Sequence, residues 1–167
     1  MKTKGSIMCL FAVFLLMLFA QGCAKKSTLD LEKIADNIVK TINSGDPVAV
    51  TNLYAKDAVM IQANEPVPVR GHDALLKSYQ AMFRATPDWK AEFSLIAFHG
   101  DTIIFEGVGF GTFTGPLSTP MGEVPPTGAK INLKFAFFAK INAEGLIAED
   151  RTYFDNLEYA KQLGLIK

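Results

Sequence analysis

One acidic residue stands out among the side chains that could do chemistry. Along residues 129–141 the apolar side chains Ile131, Leu133, Phe135, Phe137, Ala139 and Ile141 alternate with Asn132, Lys134 and Lys140. A period of two marks a strand with one buried face. After the turn sequence Asn142-Ala143-Glu144-Gly145, residues 146–155 read as its antiparallel partner. Pairing Ile141 with Leu146 sets Ala139 against Ala148, Phe137 against Asp150 and Phe135 against Thr152. Asp150 then joins the apolar face, and Glu149 and Arg151 join the outer face near Lys140 and Lys134. Burial disfavours a carboxylate's charge, so an unpaired aspartate among rings titrates closer to neutral pH. Such a group suits general acid or base work, such as moving a proton alpha to a carbonyl. The plainer alternatives are a carboxyl hydrogen-bonded to Tyr54, Tyr79 or a backbone amide, or one facing water in a different register.

Around Asp150, the candidates for contact with a ligand are Tyr54, Tyr79, Trp89, Phe113, Phe137 and Thr152, with Gln62 a weaker one. Tyr79 and Trp89 would offer a hydroxyl and an indole N–H at a pocket mouth, or serve simply as core. Phe113 and Phe137 would fill the interior, grip a ligand, or both. If Gly100-Asp101 makes a tight turn, Glu106 opposes Leu95, which reads as a surface position. His72 opens a helix and His99 flanks a turn, and their surroundings show no metal-ligand spacing. The expectation is therefore no bound metal.

The chain has 17 Lys+Arg and 17 Asp+Glu, so no basic field recommends nucleic acid as a partner. Lys2 and Lys4 precede an apolar run, residues 7–20. Spanning a bilayer takes about 20 apolar residues, so this run reads as a secretory signal. It ends in Ala20-Gln21-Gly22-Cys23, which resembles the lipobox of bacterial lipoproteins, whose cysteine is diacylated. The alternative is ordinary cleavage leaving a free thiol. The expected division is a signal peptide over 1–22, a lipidated tether over 23–28 and one domain over 29–167. Alanine rather than aspartate at position 24 resembles the enterobacterial sorting pattern, and that resemblance implies an outer-membrane destination, facing the periplasm. Cys23 would be the mature chain's single cysteine, which excludes an internal disulfide.

The elements that must position Asp150 can be read in order. Apolar residues from Leu31 to Ile42 recur at helical spacing, so a first helix is expected over 29–42, with Ser27 and Thr28 as cap candidates. Asp46-Pro47 reads as the start of a second helix, over 47–55, with Val48, Leu53 and Tyr54 inside. A short strand follows over 58–62, and a third helix over 72–85. Strands are expected over 90–98 and 102–113. Gly107, Gly109 and Gly111 share one face of the second, which means either close packing or room for a ligand. Residues 116–128 read as a loop or a flap over a cavity mouth. A short helix over 157–163 ends at Gly164. Three helices followed by strands indicate an α+β fold, a cone-shaped curved antiparallel sheet packed against the helices, with a pocket at the open end.

Several short stretches carry a family resemblance. They are Leu53-Tyr54 with Asp57, Gly71 with Asp73-Ala74, Pro87-Asp88, Gly111-Thr112 with Gly115, Pro125-Pro126-Thr127-Gly128, Gly145-Leu146-Ile147, Asp155, and Gln162-Leu163-Gly164. In order and spacing the chain resembles the SnoaL-like polyketide cyclase (ester cyclase) group of the nuclear transport factor 2-like superfamily. The resemblance implies a cone-shaped α+β barrel of the cystatin-like kind, often a homodimer through the outer sheet face. It also implies cofactor-free chemistry on a small apolar molecule, with an acidic general acid/base in an intramolecular aldol closure. Asp150 is the counterpart of that acid. Two departures stand out. Gly111-Thr112-Phe113 replaces the group's Gly-Thr-His run, and residues 117–123 look inserted. The missing histidine favours binding over catalysis, whereas an inward Asp150 favours catalysis.

Overall fold

The computed structural model describes residues 29–63, 65–119 and 122–166. The signal peptide and tether, with Cys23 and the cap candidates Ser27 and Thr28, lie outside the described residues. Helix α1 (Leu31–Ile42) is capped instead by Asp30, whose Oδ1 accepts from the Lys33 backbone N–H at 3.2 Å. Its stripe of Ala35 and Ile38 is fully buried, and Leu31, Ile34, Val39 and Ile42 pack beside them. Helix α2 (Pro47–Thr51) starts at the expected cap, Asp46, with proline in the first turn.

Helix α2 is shorter than its sequence suggests. Leu53-Tyr54 fits a helical pattern, yet Tyr54 opens strand β1 (Tyr54–Gln62). The Leu53 carbonyl accepts from the Ile147 N–H at 2.9 Å, so a distant strand outcompetes a further helical turn. Val48 is exposed, and Val50 and Thr51 face inward in its place.

Strand β2 (Val69–Arg70) leads to helix α3 (His72–Ala85), whose bounds match the expectation. Strands β3 (Lys90–His99) and β4 (Thr102–Thr112) form a hairpin. The expected loop holds a separate small hairpin, β5 (Leu117–Thr119) with β6 (Gly122–Val124). Strands β7 (Lys130–Ile141) and β8 (Ile147–Phe154) follow, then helix α4 (Asn156–Gln162), capped by Asp155. The main sheet runs β2-β1-β8-β7-β4-β3. It is not wholly antiparallel, because its second and third strands, β1 and β8, run parallel. Among the described residues, no helix is long and apolar enough to cross a membrane.

The β7–β8 register differs from the simple hairpin count. Phe137 faces Thr152, Ala139 faces Asp150, and Phe135 faces Phe154. The turn explains the shift. Asn142 Oδ1 accepts from the N–H groups of Glu144 and Leu146, and the Asn142 N–H donates to the Leu146 carbonyl at 2.9 Å. Leu146 therefore closes the turn on Asn142, and a bulge between Lys140 and Ile141 absorbs the difference. The net slip is two residues, which preserves the facing of every side chain, whereas a slip of one would have turned Asp150 outward. Glu106 does pair with Leu95 and is exposed, as expected.

The glycine face of β4 is a face of close packing. A Cβ on Gly109 would overlap the Trp89 indole, one on Gly107 would strike the Glu92 carbonyl, and one on Gly111 would meet Thr86. The missing side chains let β3 and the segment before it curl over the sheet, and a bulge between Phe93 and Leu95 adds to the bend. The sheet thus becomes the curved wall of a cone.

Candidate active site

Two clusters fill the cone unequally. At the narrow end Ile103, Phe105, Ala139, Ile141 and Ile147 from the sheet meet Ala35 and Ile38 from α1, all nearly without solvent contact. Towards the wide end α3, the β5–β6 hairpin and α4, which is tied to β7 by the Gln162 side chain, ring an unfilled space. They leave a cavity of about 500 Å³. Its wall is largely aromatic, with Trp89, Phe93, Phe135, Phe137 and Phe154 from the sheet side and Tyr79 and Phe83 from α3. Polar atoms enter from Gln62, Ser78, Thr152 and Asn156, and from Ser118 and Thr119 of the hairpin.

A side chain of α3 reaches the hairpin. Arg84 Nη2 donates to Ser118 Oγ at 2.9 Å and to Glu123 Oε2 at 3.0 Å. Both partners of the ion pair are about half exposed.

Asp150 points inward and is 1% exposed. Its Oδ2 accepts from the Tyr54 hydroxyl at 2.6 Å, and its Oδ1 has no hydrogen-bond partner among the described residues. The Tyr54 and Tyr79 hydroxyl oxygens are 2.5 Å apart. Three elements make this row: β8 supplies the carboxyl, β1 the first phenol and α3 the second. Tyr79 lines the cavity, whereas Tyr54 and Asp150 lie behind it. The row therefore runs from a sealed carboxyl to the cavity wall.

Burial raises the Asp150 pKa to about 7; the Tyr54 hydrogen bond opposes the rise and the neighbouring Glu149 adds to it. Burial also pushes the Tyr54 and Tyr79 phenols well above their usual range, with the Asp150 charge adding to both. Near neutral pH the carboxyl is thus poised between its two forms while both phenols keep their protons.

Of the residues singled out in the sequence, Tyr79, Trp89, Phe137, Thr152 and Gln62 line the cavity. Tyr54 does not line it, but joins Asp150 to Tyr79. Phe113 lies elsewhere: it is buried against Ala85, Ile131, Leu133 and Leu163 below the hairpin. The inward parity of Phe135 and Phe154 could have marked them as lining residues. Glu65, Asn156 and Tyr159 carry no such signal, since a loop and the last helix bring them in. Among the described residues no three His, Cys, Asp or Glu side chains gather as a metal site.

A curved α+β cone with an aromatic cavity and a buried acid at its back defines a small-molecule pocket protein of the nuclear transport factor 2-like fold. The sequence profile of the SnoaL-like polyketide cyclase family matches residues 32–163, and the chain belongs to that family. IdmH from Streptomyces antibioticus, a candidate polyketide cyclase, is 26% identical, with 81% of this chain and 99% of that one covered and a TM-score of 0.64. A candidate SnoaL-like polyketide cyclase from Jannaschia sp. CCS1 shares the fold at 15% identity, over 89% of this chain and 100% of that one, with a TM-score of 0.68. A hypothetical protein of ketosteroid isomerase-like fold from Catenulispora acidiphila does so at 16% identity, over 78% and 92%, with a TM-score of 0.64. The sequence matches no curated protein.

Proposed function

We propose that the protein is a cofactor-free cyclase or isomerase that moves a proton on a small, largely apolar carbonyl compound held in the cone. The observation that carries this reading is the row from Asp150 through Tyr54 to Tyr79 at the cavity wall. A carboxyl whose pKa lies near 7 can give up and regain a proton at the operating pH. The phenols carry that proton without becoming phenolates in bulk. In a ring closure the acceptor carbonyl oxygen takes the proton as an enol carbon of the same molecule forms the new bond. The enol's own hydroxyl proton returns to the row, so the carboxyl is restored. The relatives named as polyketide cyclases support this chemistry by kinship.

The test is exchange of the alpha-protons of a neutral ketone such as 1-tetralone in deuterated buffer, followed by proton NMR. Acceleration by the wild-type protein and its loss in Asp150→Asn is the expected result. No acceleration above buffer would leave a second reading, an envelope protein that holds an apolar ligand without converting it. The sealing of Asp150 behind Tyr54 favours that reading. Native mass spectrometry of the purified protein would then show the bound molecule.

Two further parts belong to the proposal. Cys23 anchors the chain by lipid to the outer membrane, facing the periplasm, and normal maturation under globomycin would count against it. A second copy covers the outer sheet face, where Tyr153 and Leu95 are each 50% exposed, and light scattering of the mature domain would read the mass.

A further inference from the structure

The three oxygens of the Asp150–Tyr54–Tyr79 row share two hydrogen bonds, and each phenol has a single hydrogen to give. Requiring every hydrogen inside the row to meet an acceptor restricts it to two arrangements. With Asp150 ionised, its carboxylate can only accept, so Tyr54 donates to it. Tyr54 then has no hydrogen left for the second link, so Tyr79 must donate to Tyr54. Tyr79 is left with lone pairs alone for any further partner. With Asp150 protonated the order reverses. Asp150 donates to Tyr54, Tyr54 donates to Tyr79, and the Tyr79 hydrogen is free for a further acceptor. Only hydroxyl hydrogens rotate between the two.

The position of the carboxyl proton is constrained as well. On Oδ1 it would be a buried donor facing nothing, because that oxygen has no partner among the described residues. An unmet buried donor costs about 1–3 kcal/mol. On Oδ2 the proton meets Tyr54. Protonation of Asp150 therefore acts on the row and not beside it.

We propose that the protonation state of Asp150 sets the polarity of this row, and so decides whether Tyr79 offers the cavity a hydrogen-bond donor or an acceptor. The cavity then selects its ligands by pH. It prefers neutral carbonyl compounds when Asp150 is protonated, and alcohols, phenols or enols of the same skeleton when it is ionised. This deepens the functional reading above, since a ketone is then met by a donor when the acid behind that donor holds its proton.

The groups around Asp150 leave it in charge of the switch. Tyr54 faces it from β1 and Tyr79 stands beyond from α3, both held neutral by burial. Beside it β7 sets Ala139 and β1 sets Met60, neither titratable. Glu149 is its neighbour on β8, facing outward and paired with Arg151 at 2.8 Å. The one charged side chain in the cavity lining is Glu65, and no Lys, Arg or His lines it among the described residues. Burial places the carboxyl's titration near pH 7, within reach of ordinary buffers.

The test needs no turnover. The sequence holds one tryptophan, Trp89, and it lines the cavity, so its fluorescence reports binding. Three probes of one skeleton are titrated: 1-tetralone, the hydrocarbon tetralin and the alcohol 1-tetralol. At about pH 5.5 the ketone should bind roughly tenfold more tightly than the hydrocarbon, a difference of about 1.4 kcal/mol. At about pH 8.5 that preference should fall below about twofold, with the alcohol preferred. Tyr79→Phe should lose the ketone preference at both pH values. Tyr54→Phe cuts the row, so the Tyr79 hydroxyl rotates freely and the ketone preference should persist without pH dependence. Asp150→Asn should likewise be pH-independent. A wild-type preference equal at both pH values would overturn the proposal, as would pH dependence surviving in Tyr54→Phe. Failure of the functional reading is a separate result: a protein that switches preference but exchanges no alpha-proton keeps the switch and loses the enzyme.

Discussion

The two ends of the sheet's inner face follow the same alternation of apolar residues, yet one is solid and the other hollow. At the narrow end Ile103, Phe105 and Ala139 are without solvent contact and share one packed cluster with Ala35 and Ile38 of α1. At the wide end Phe135 meets Phe93 edge-on at 5.7 Å, and its other side faces the cavity. The strand pattern is therefore not what makes a pocket. The helices decide it: α1 buries Ala35 and Ile38 in the core, whereas α3 and α4 border the cavity. Asp150 sits at the boundary between the two ends, sealed by the one and connected to the other by two phenols.

The largest expected effect breaks the solid end. Phe105→Ala should cost about 3–5 kcal/mol, because the packed neighbours cannot collapse into the space. Phe135→Ala, whose ring already borders a void, should cost only roughly 1–2 kcal/mol by the area it buries. Urea unfolding of the two variants side by side measures the contrast, and equal losses would erase the distinction between the ends.

Next comes the boundary. The folded Asp150 carboxyl has its pKa raised from 3.8 to about 7, so it holds its proton more tightly than the unfolded chain does. Below about pH 4 both states are protonated and the group contributes nothing to the balance. From about pH 4 to pH 7 the folded chain binds the extra proton, and stability falls as pH rises, by the order of a few kcal/mol in total. Above that window the cost stays constant. Asp150→Asn should remove the slope and be more stable than wild type at pH 8, which thermal melts across pH would read.

Smaller effects sharpen the hollow end. Gly109→Ala sets a methyl against the Trp89 indole and should cost roughly 1–3 kcal/mol through overpacking. It should also shift the Trp89 emission, since the ring is driven towards the cavity. Arg84→Ala removes the side chain that ties the β5–β6 hairpin to α3. An exposed ion pair of this kind should change stability by less than about 1 kcal/mol. Stopped-flow quenching of Trp89 should nonetheless show faster ligand release.

The inner face of the sheet was far more legible in the sequence than the elements that close over it. Residues 131–141 declare their buried face by period alone, and that parity turned Asp150 inward even though its partner was misplaced by two residues. The misplacement came from Asn142, whose side chain reorganised a turn that residue counting treats as ideal. Tyr54 was harder. Its run from Val48 looks helical, and the strand that claims it lies about ninety residues on, beyond any local pattern. The carboxyl–phenol contact had been one of the alternatives for Asp150, but the row needs β1, α3 and β8 placed together. The curl that brings Trp89 over Gly109 was visible only as missing side chains, which two opposite causes could explain.

The parallel pairing of β1 with β8 also bears on the order in which the molecule can assemble. Residues 54–62 can find their central partner only after residues 147–152 have left the ribosome, nearly the whole domain later. Until then the early segment has only the two-residue strand β2 beside it, too little to hold an edge closed. Contacts of such long sequence separation form slowly. A nascent chain built this way keeps its sheet incomplete until its last strand arrives.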